Sequence, residues 1–296
     1  MIETMLAALL VGASMIGGAA MAQAGPGTLG KIKAAKLINV AFSADSLPFS
    51  FAGPDGVPAG YSIELCKRAI AQIARTVGKP ALKVNWMAGS VTERLQMVAT
   101  GRADLECANT TQTVSRLANV DFYNLIFIDG GGLPVESGAP VNQIADLAGK
   151  RVAVVKGMTT ETRLNTTLKL RLIKATVVTV ADASAGLAML EAGTVDACAG
   201  DKIKLIDLAV MAKNPARLAL VAEDLSIEPY AFALPRFDSA LRLEVNKALT
   251  QVCMIGDIER IYSDWLGKLG RPSGLLAVMS LMNSIPERPR TTRTPP

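Results

Sequence analysis

Residues 151–201 decide the fold class, and they read RVAVVKGMTTETRLNTTLKLRLIKATVVTVADASAGLAMLEAGTVDACAGD. Apolar runs of strand length alternate here with longer segments of helical pattern: strands at 151–156, 176–180 and 195–199, helices at 160–172 and 182–192. Gly157 separates the first strand from its helix, while Asp182 and Gly193 are typical of the start and the end of the second helix. This alternation predicts a mostly parallel sheet with helices on both faces.

The same alternation occurs earlier in the chain. Its predicted elements are strands at 37–42, 83–87 and 104–108, a helix with Ile63, Cys66, Ile70 and Ile73 on one face, and a helix from about 91 to 100. A strand at 230–234 and two helices complete the pattern. The two βαβ sets meet near residues 127–132, where Gly130-Gly131-Gly132 suits a backbone that bends or lets another segment approach closely.

The composition excludes several kinds of function. Half of the 296 residues are apolar but only 4% are aromatic, so the chain can bury a large, mainly aliphatic core. The net charge of +5 is spread thinly, which disfavours nucleic-acid binding. The chain has no histidine, which excludes Ser-His-Asp and Cys-His catalysis and histidine-based metal sites, and we expect no cofactor. Cys66, Cys107, Cys198 and Cys253 form no C-x-x-C motif, and the sequence leaves open whether they form disulfides.

Both ends of the chain differ from its middle. Residues 1–24 contain an apolar stretch and end in Ala22-Gln23-Ala24, an A-x-A cleavage pattern, so we predict a signal peptide and a periplasmic protein. The segment before the apolar stretch carries Glu3 but no lysine or arginine, so a membrane anchor stays an alternative. Residues 271–296 are rich in proline, arginine and threonine, and we expect a C-terminal extension that is partly disordered.

A dense polar segment follows the predicted strand at 104–108: Asn109, Thr110, Thr111, Thr113, Ser115 and Arg116. Thr113 is placed to cap a helix, with Arg116 in its first turn. The free N–H groups of a helix start favour an anion, and an arginine can hold a carboxylate through two hydrogen bonds. The alternative is an ordinary capped helix whose Arg116 pairs with a surface acid such as Asp121.

Two more polar positions follow strands of the second set. Residues 156–162, KGMTTET, place hydroxyl groups at a helix start and offer a second anion site, although ordinary capping by Thr159 or Thr160 explains them equally. Asp201 follows the last strand of that set, at the edge where open α/β sheets bind ligands, and it can accept an ammonium group or cap the next helix. Together the three positions have the polarity that the carboxylate and the ammonium of one zwitterion require.

Six stretches between residues 36 and 267 have the order and spacing of one known family: LINVAFSADSLPFSF, GYSIELCKRAI, RLQMVATGRADLECANTTQTVSRLANVDF, DLAGKRVAVVKGMTTET, LEAGTVDACAGD and GDIERIYSDWLG. The chain resembles the periplasmic solute-binding proteins of amino-acid ABC transporters, the polar amino-acid family. GYSIELC, DLECANTT and GRPSGLLAVMSLM are most similar to its glutamate/aspartate-binding branch.

The resemblance implies an α/β fold of the type II periplasmic-binding-protein class, in which each of two lobes is a mostly parallel sheet flanked by helices. Two crossover strands, near Phe127 and residues 228–230, would join the lobes. Lobe one would comprise residues 28–127 and 231–270, and lobe two residues 131–225. The protein would be a monomer that closes on its ligand by a hinge and delivers it to the permease subunits of the transporter.

The resemblance also assigns roles in ligand binding. Arg116 matches the arginine that holds the ligand α-carboxylate, with Thr111 as a hydroxyl contact and Thr159 or its neighbour as the carboxylate contact from lobe two. Asp201 matches the acid that binds the α-ammonium. Asn109 falls where the family offers a backbone carbonyl or a small side chain.

Recognition of the ligand side chain departs from the glutamate/aspartate branch. Arg94 matches an arginine of that branch, but Ser43 and Ala183 stand where it has an arginine and a histidine. Ser46 and Val91 stand where cationic and polar binders have aromatic residues. With Arg94 as the only matched cation left near the cleft, we predict a neutral amino acid or a related small carboxylate as the ligand.

Two other functions fit the same resemblance. Cyclohexadienyl dehydratases are similar to this family, and such an enzyme needs a general acid in the cleft, for which Glu228, Glu161 and Asp201 are candidates. A sensor or accessory module of a secreted complex is the third interpretation, although the sequence carries no kinase or coiled-coil pattern. The leading expectation is a transport receptor that is not an enzyme.

Overall fold

The structure is a computed structural model that describes residues 27–212 and 214–286. Its α-helices are α1 (Thr28–Ala35), α2 (Tyr61–Thr76), α3 (Val91–Ala99), α4 (Thr159–Leu170), α5 (Ala183–Glu191), α6 (Lys202–Val210), α7 (Ser239–Met254), α8 (Asp257–Leu266) and α9 (Gly274–Asn283). Its strands are β1 (Leu37–Phe42), β2 (Asp45–Ser46), β3 (Ser50–Ala52), β4 (Pro58–Ala59), β5 (Lys83–Ala88), β6 (Leu105–Glu106), β7 (Asp121–Phe122), β8 (Phe127–Gly132), β9 (Pro134–Glu136), β10 (Arg151–Val155), β11 (Thr176–Val180), β12 (Ala197–Asp201), β13 (Leu218–Leu220), β14 (Ser226–Tyr230) and β15 (Ala233–Leu234).

Two sheets define two lobes. Lobe one has the strand order β5-β1-β6-β15-β7, in which β1 is parallel to β5 and β6 while β15 is antiparallel to β6 and β7. Lobe two has the order β11-β10-β12-β8-β14, in which β10 is parallel to β11 and β12. β9 adds to lobe two through antiparallel pairs with β12 and β13. The parallel centre of each sheet agrees with the α/β class that the alternating pattern predicted.

The strands β8 and β14 connect the lobes. They pair antiparallel from Phe127 opposite Tyr230 to Gly131 opposite Ser226. Phe127 and Tyr230 lie in the core of lobe one, whereas β8 also pairs with β12 of lobe two. A side chain at Gly131 would overlap the Ser226 hydroxyl, so the two crossover strands can approach this closely only because a glycine stands there.

The scarce aromatic residues concentrate where the crossover strands leave lobe one. The ring centroid of Phe49 lies 5.1 Å from that of Phe127 and 5.3 Å from that of Tyr230, both in edge-to-face geometry. Tyr61 completes the group, and its hydroxyl donates to the Ile126 carbonyl over 2.8 Å. The buried apolar side chains of lobe two are aliphatic, as the composition predicted. The aromatic group gives the two connections a rigid base in lobe one.

A disulfide joins Cys66 of α2 to Cys107, the residue after β6. Cys198 and Cys253 are free and buried. The sequence had left the pairing open, because residues 41 positions apart meet only through the fold.

Three predicted strands have different bounds in the structure. The strand predicted at 104–108 is the short β6, since only two of its residues pair with β1. The strand predicted at 195–199 is displaced to β12, which puts Asp201 at its last position. The strand predicted at 230–234 is divided, because β14 belongs to the sheet of lobe two and β15 to the sheet of lobe one.

The two ends of the chain are only partly described. The predicted signal peptide, residues 1–24, and the last residues, 287–296, lie outside the described residues. Within the C-terminal extension, α9 is a helix that we did not predict; Leu276 and Met279 are buried against lobe one. In the part of the chain that the structure describes, no helix is both long and apolar enough to cross a membrane.

Candidate functional site

A cavity of about 110 Å³ lies between the lobes. All six residues that we predicted as ligand contacts line it: Arg94, Asn109, Thr111, Arg116, Thr159 and Asp201. Lobe one contributes α3 and the loop after β6, and lobe two contributes the start of α4 and the end of β12. The site thus lies at the carboxyl ends of parallel strands from both sheets, where α/β folds place ligands.

Arg116 is held by a tight turn and not by the α-helix predicted from Thr113. A three-residue 3₁₀ helix, Arg116–Ala118, follows Thr113, whose hydroxyl accepts the Arg116 N–H over 3.2 Å. The guanidinium Nη1 donates to the Thr111 carbonyl over 2.7 Å, and burial lowers the pKa of Arg116. The alternative pairing with Asp121 is wrong, because the Asp121 carboxylate accepts the backbone N–H of Phe237. No carboxylate of the described residues lies within 4.0 Å of the Arg116 guanidinium.

Asp201 presents a buried carboxylate to the same cavity. It precedes α6, yet its side chain makes no capping hydrogen bond, so the capping interpretation is wrong. Oδ2 accepts a hydrogen bond from Asn109 Nδ2 over 3.1 Å across the lobes, and Oδ1 is buried without a partner in the described residues. Burial, and secondly the negative charge of Glu228, raise the pKa of Asp201 to about 6. An ammonium group is the partner that would satisfy Oδ1 and remove this penalty.

Thr111 and Thr159 face each other across the cleft, but both hydroxyl hydrogens point to one carboxylate. Glu228 Oε2, on the crossover strand β14, accepts from Thr111 Oγ1 over 2.6 Å and from Thr159 Oγ1 over 2.7 Å. Thr159 does not cap α4 as the alternative had it; Met158 takes the capping position without a side-chain bond, and Thr160 is buried. A ligand carboxylate could therefore use these two hydroxyls only if they turned away from Glu228. From the sequence, Glu228 was expected on a crossover strand and as a candidate catalytic acid, but not as the acceptor of these two hydroxyls.

Arg94 has a supporting place in the cavity wall. Its Nε donates to Glu106 Oε1 over 2.8 Å, Nη1 to the Gly89 carbonyl over 2.7 Å, and Nη2 to Thr110 Oγ1 over 3.3 Å. Glu106 is fully buried beneath it and neutralises its charge. Arg94 therefore holds the loop after β6 in place, and most of its donors are not available to a ligand.

Two lysines that we did not predict also line the cavity. Lys204 of α6 donates from Nζ to Ser46 Oγ over 3.3 Å, and Lys156 is more exposed at the end of β10. Asp201 is the last residue of β12 and directly precedes α6, so Lys204 lies in the first turn of a helix that begins at the cavity. This closeness to Asp201 was the signal in the sequence that could have identified Lys204.

Comparison with known proteins identifies the family. A family model described as "Bacterial extracellular solute-binding proteins, family 3" matches residues 38–268. The chain belongs to this family. The solute-binding protein is 30% identical over 250 residues to the L-glutamate/L-aspartate-binding protein of Pseudomonas aeruginosa, covering 84% of this chain and 83% of the relative. It is 26% identical over 262 residues to the glutamate/aspartate import solute-binding protein of Escherichia coli K12, covering 88% and 87%.

Solved structures give the same answer for the fold. This solute-binding protein superimposes on the ancestral amino acid-binding protein AncCDT-1, a precursor of cyclohexadienyl dehydratase, with a TM-score of 0.69 and 26% identity. The match covers 81% of this chain and 99% of that one. The type II two-lobe fold is thereby confirmed, and the protein is the binding component of an amino-acid ABC transporter.

Proposed function

We propose that this solute-binding protein holds the α-carboxylate of an amino acid at Arg116 and its α-ammonium at Asp201. One observation carries the proposal: a largely buried guanidinium and a buried carboxylate face the same small cavity, and neither has an opposite charge within 4.0 Å in the described residues. Charges buried without partners are costly, and a zwitterionic ligand supplies both partners at once. Thr111 and Thr159 would add hydroxyl contacts once their hydrogens turn from Glu228 to the ligand carboxylate, and Asn109 orients Asp201.

Further parts of the proposal concern the molecule as a whole. The protein acts as a periplasmic monomer, exported by the signal peptide at residues 1–24, and passes its ligand to the permease subunits. The Cys66–Cys107 disulfide supports an oxidising compartment. The lobes comprise residues 28–127 with 231–270, and residues 131–225; the sheet pairings support these limits. Residues 271–286 extend lobe one, because α9 packs against its core.

Transport without catalysis is the function we favour over a dehydratase. Glu228 is a candidate acid of the dehydratase alternative, and it accepts hydrogen bonds from Thr111, Thr159 and Ser226. Because Glu228 is already the acceptor of three hydroxyl groups, its carboxylate is taken up by the protein's own donors and not presented to a substrate. Two relatives, at 30% and 26% identity, are named as binding proteins for glutamate and aspartate, which also supports transport.

The proposed ligand class is an α-amino acid without the restriction to neutral side chains. The prediction of a neutral ligand rested on Arg94 as the only remaining cation that the resemblance placed near the cleft. Lys204 and Lys156, which the resemblance did not place there, also line the cavity. The names of the two relatives support an acidic amino acid as one candidate.

A thermal-shift screen of the twenty common amino acids tests the proposed function. A ligand that binds only the folded protein stabilises it by about 2.7 kcal/mol at a hundred times its Kd, so at least one amino acid should raise Tm clearly. Prephenate and arogenate, incubated with the protein, should be recovered unchanged. Silence of every amino acid, or conversion of either cyclohexadienyl acid, would contradict the proposal.

Binding should also depend on the ionisation of Asp201. Since an ammonium group binds the charged carboxylate, affinity should rise with pH and level off above about 6, the pKa of Asp201 in the protein without ligand. Asp201→Asn should weaken binding by about 1.5–3 kcal/mol, through loss of a charge-assisted hydrogen bond. Calorimetry at pH 5 and pH 8 measures both effects.

The unliganded protein should show the opposite trend in stability. The pKa of Asp201 lies above its ordinary value of 3.8, so the folded state binds this proton more tightly than the unfolded chain does. The stability that protonated Asp201 contributes to the folded state is therefore lost as pH rises from about 4 to 6. The variant Asp201→Asn should not show this pH-dependent loss. The pKa of Asp129 is raised to about 7 by burial and secondly by the charge of Asp201, so the difference between wild type and variant reports on Asp201 together with its effect on Asp129. Equal pH profiles for both proteins would contradict the assignment.

A further inference from the structure

Lys204 brings a positive charge from lobe two into the ligand cleft. Its Nζ reaches Ser46 Oγ of lobe one over 3.3 Å, and the side chain is half-buried. No carboxylate of the described residues lies within 4.0 Å of this ammonium group. One hydrogen bond uses one of its three donors. The contacts proposed for the ligand zwitterion, at Arg116 and Asp201, do not involve it.

The other charged groups of the cavity wall either have partners or face solvent. Arg94 is paired with Glu106, and Asp182 accepts the Ala185 N–H in the first turn of α5. Asp45 accepts a hydrogen bond from a neighbouring serine hydroxyl over 2.8 Å. Lys156 is exposed, where ionic attraction is weak. Apart from the two groups proposed to bind the zwitterion, Lys204 is the charge best placed to contact a ligand atom inside the cavity.

The cavity wall leaves space for a ligand side chain. Four small side chains line the cavity together with Lys204: Ser43, Ser46, Val91 and Ala183. The cavity of about 110 Å³ is narrow, and its wall on this side carries small side chains and, among the described residues, no aromatic ring. A short side chain beside the amino-acid backbone suits this shape best.

We propose that Lys204 selects the ligand by its side chain, and that the preferred ligand is an α-amino acid whose short side chain ends in an anionic group. The inference rests on the proposed function, since it takes the zwitterion contacts as given. An anionic group would form a charge-assisted hydrogen bond with Nζ in a partly desolvated site. An apolar side chain would leave ammonium donors without acceptors, and a cationic one would be repelled.

This preference is the reverse of the one drawn from the sequence. The positions where the resembling branch has an arginine and a histidine carry Ser43 and Ala183, which contribute no charge. Lys204, on α6, supplies a cation from a different element. A cation on a different element can have the same effect, because its electrostatic interaction with the ligand depends on the position of the charge and not on which part of the chain carries it.

L-Aspartate and L-asparagine, which are nearly equal in size, are the probes that test Lys204. Calorimetry of the wild-type protein should show that aspartate binds at least about tenfold more tightly than asparagine. In Lys204→Met the two affinities should lie within about threefold of each other, with asparagine binding little changed, and Lys204→Arg should restore most of the preference. Lys202→Met, on the same helix but paired with Asp224, and Lys156→Met are matched controls that should keep it.

Each outcome decides the inference. A preference for aspartate that survives in Lys204→Met, or that disappears in Lys156→Met instead, overturns it. A wild-type protein that binds asparagine or an apolar amino acid more tightly than aspartate also overturns it, while the proposed function stands. If no α-amino acid binds the wild-type protein, the proposed function fails and this inference fails with it.

Discussion

Replacement of Arg116 by alanine is expected to weaken amino-acid binding by about 2–5 kcal/mol, because the ligand carboxylate would be buried without its cationic partner. Arg116 is suited to this role since its guanidinium is largely buried, has no carboxylate within 4.0 Å in the described residues, and is aimed by the Thr111 carbonyl over 2.7 Å. Calorimetry with an amino acid found in the thermal-shift screen measures the loss.

A second arginine at the cleft provides the control. Arg163 of α4 lines an outer groove of about 610 Å³ next to the ligand cavity, and its side chain is exposed. Arg163→Ala removes the same charge from the same cleft and should leave affinity within about threefold of the wild type. An Arg116→Ala variant that folds, as judged by circular dichroism, and binds within the same threefold would show that the site is assigned wrongly.

Loss of the Cys66–Cys107 disulfide should produce the largest change in stability. The cross-link spans 41 residues, and the chain-entropy relation gives about 4 kcal/mol for a loop of this size. The double variant Cys66→Ala/Cys107→Ala should therefore unfold at a Tm lower by on the order of 10 °C. Both sulfur-bearing residues are fully buried, so part of the loss will reflect packing.

Thiol counting separates the cross-link from packing. The native protein, denatured without a reductant, should expose two reactive thiols, those of Cys198 and Cys253, out of the four cysteines in the chain. The control variant Cys253→Ala removes a buried thiol and no cross-link, and it should lose much less stability. Four reactive thiols, or equal Tm values with and without reductant, would contradict the disulfide.

Elements with a strong local signal could be predicted from the sequence. The run from β10 to α5 was identified nearly to the residue, since apolar strands, Gly157 and the cap at Asp182 agree with one another. Where a helix was predicted from Thr113, the structure has a 3₁₀ turn that ends at Ala118. The reason is that β7 begins only three residues later, at Asp121. The helix α9 was missed, since its apolar positions have meaning only against the surface of lobe one.

The α/β class and the lack of histidine chemistry follow from the amino-acid sequence, and the family resemblance identifies the six residues that line one cavity in the folded protein. Which of these groups are free to bind a ligand follows from the fold. Arg94 is paired with Glu106, and Thr111 donates to Glu228, which is 117 positions away in the chain. Lys204, which was not predicted as a site residue, reaches the cleft from α6. The reason is physical: side-chain type follows from the sequence, but the availability of a charge or a hydroxyl depends on partners that only the folded chain brings within about 3 Å.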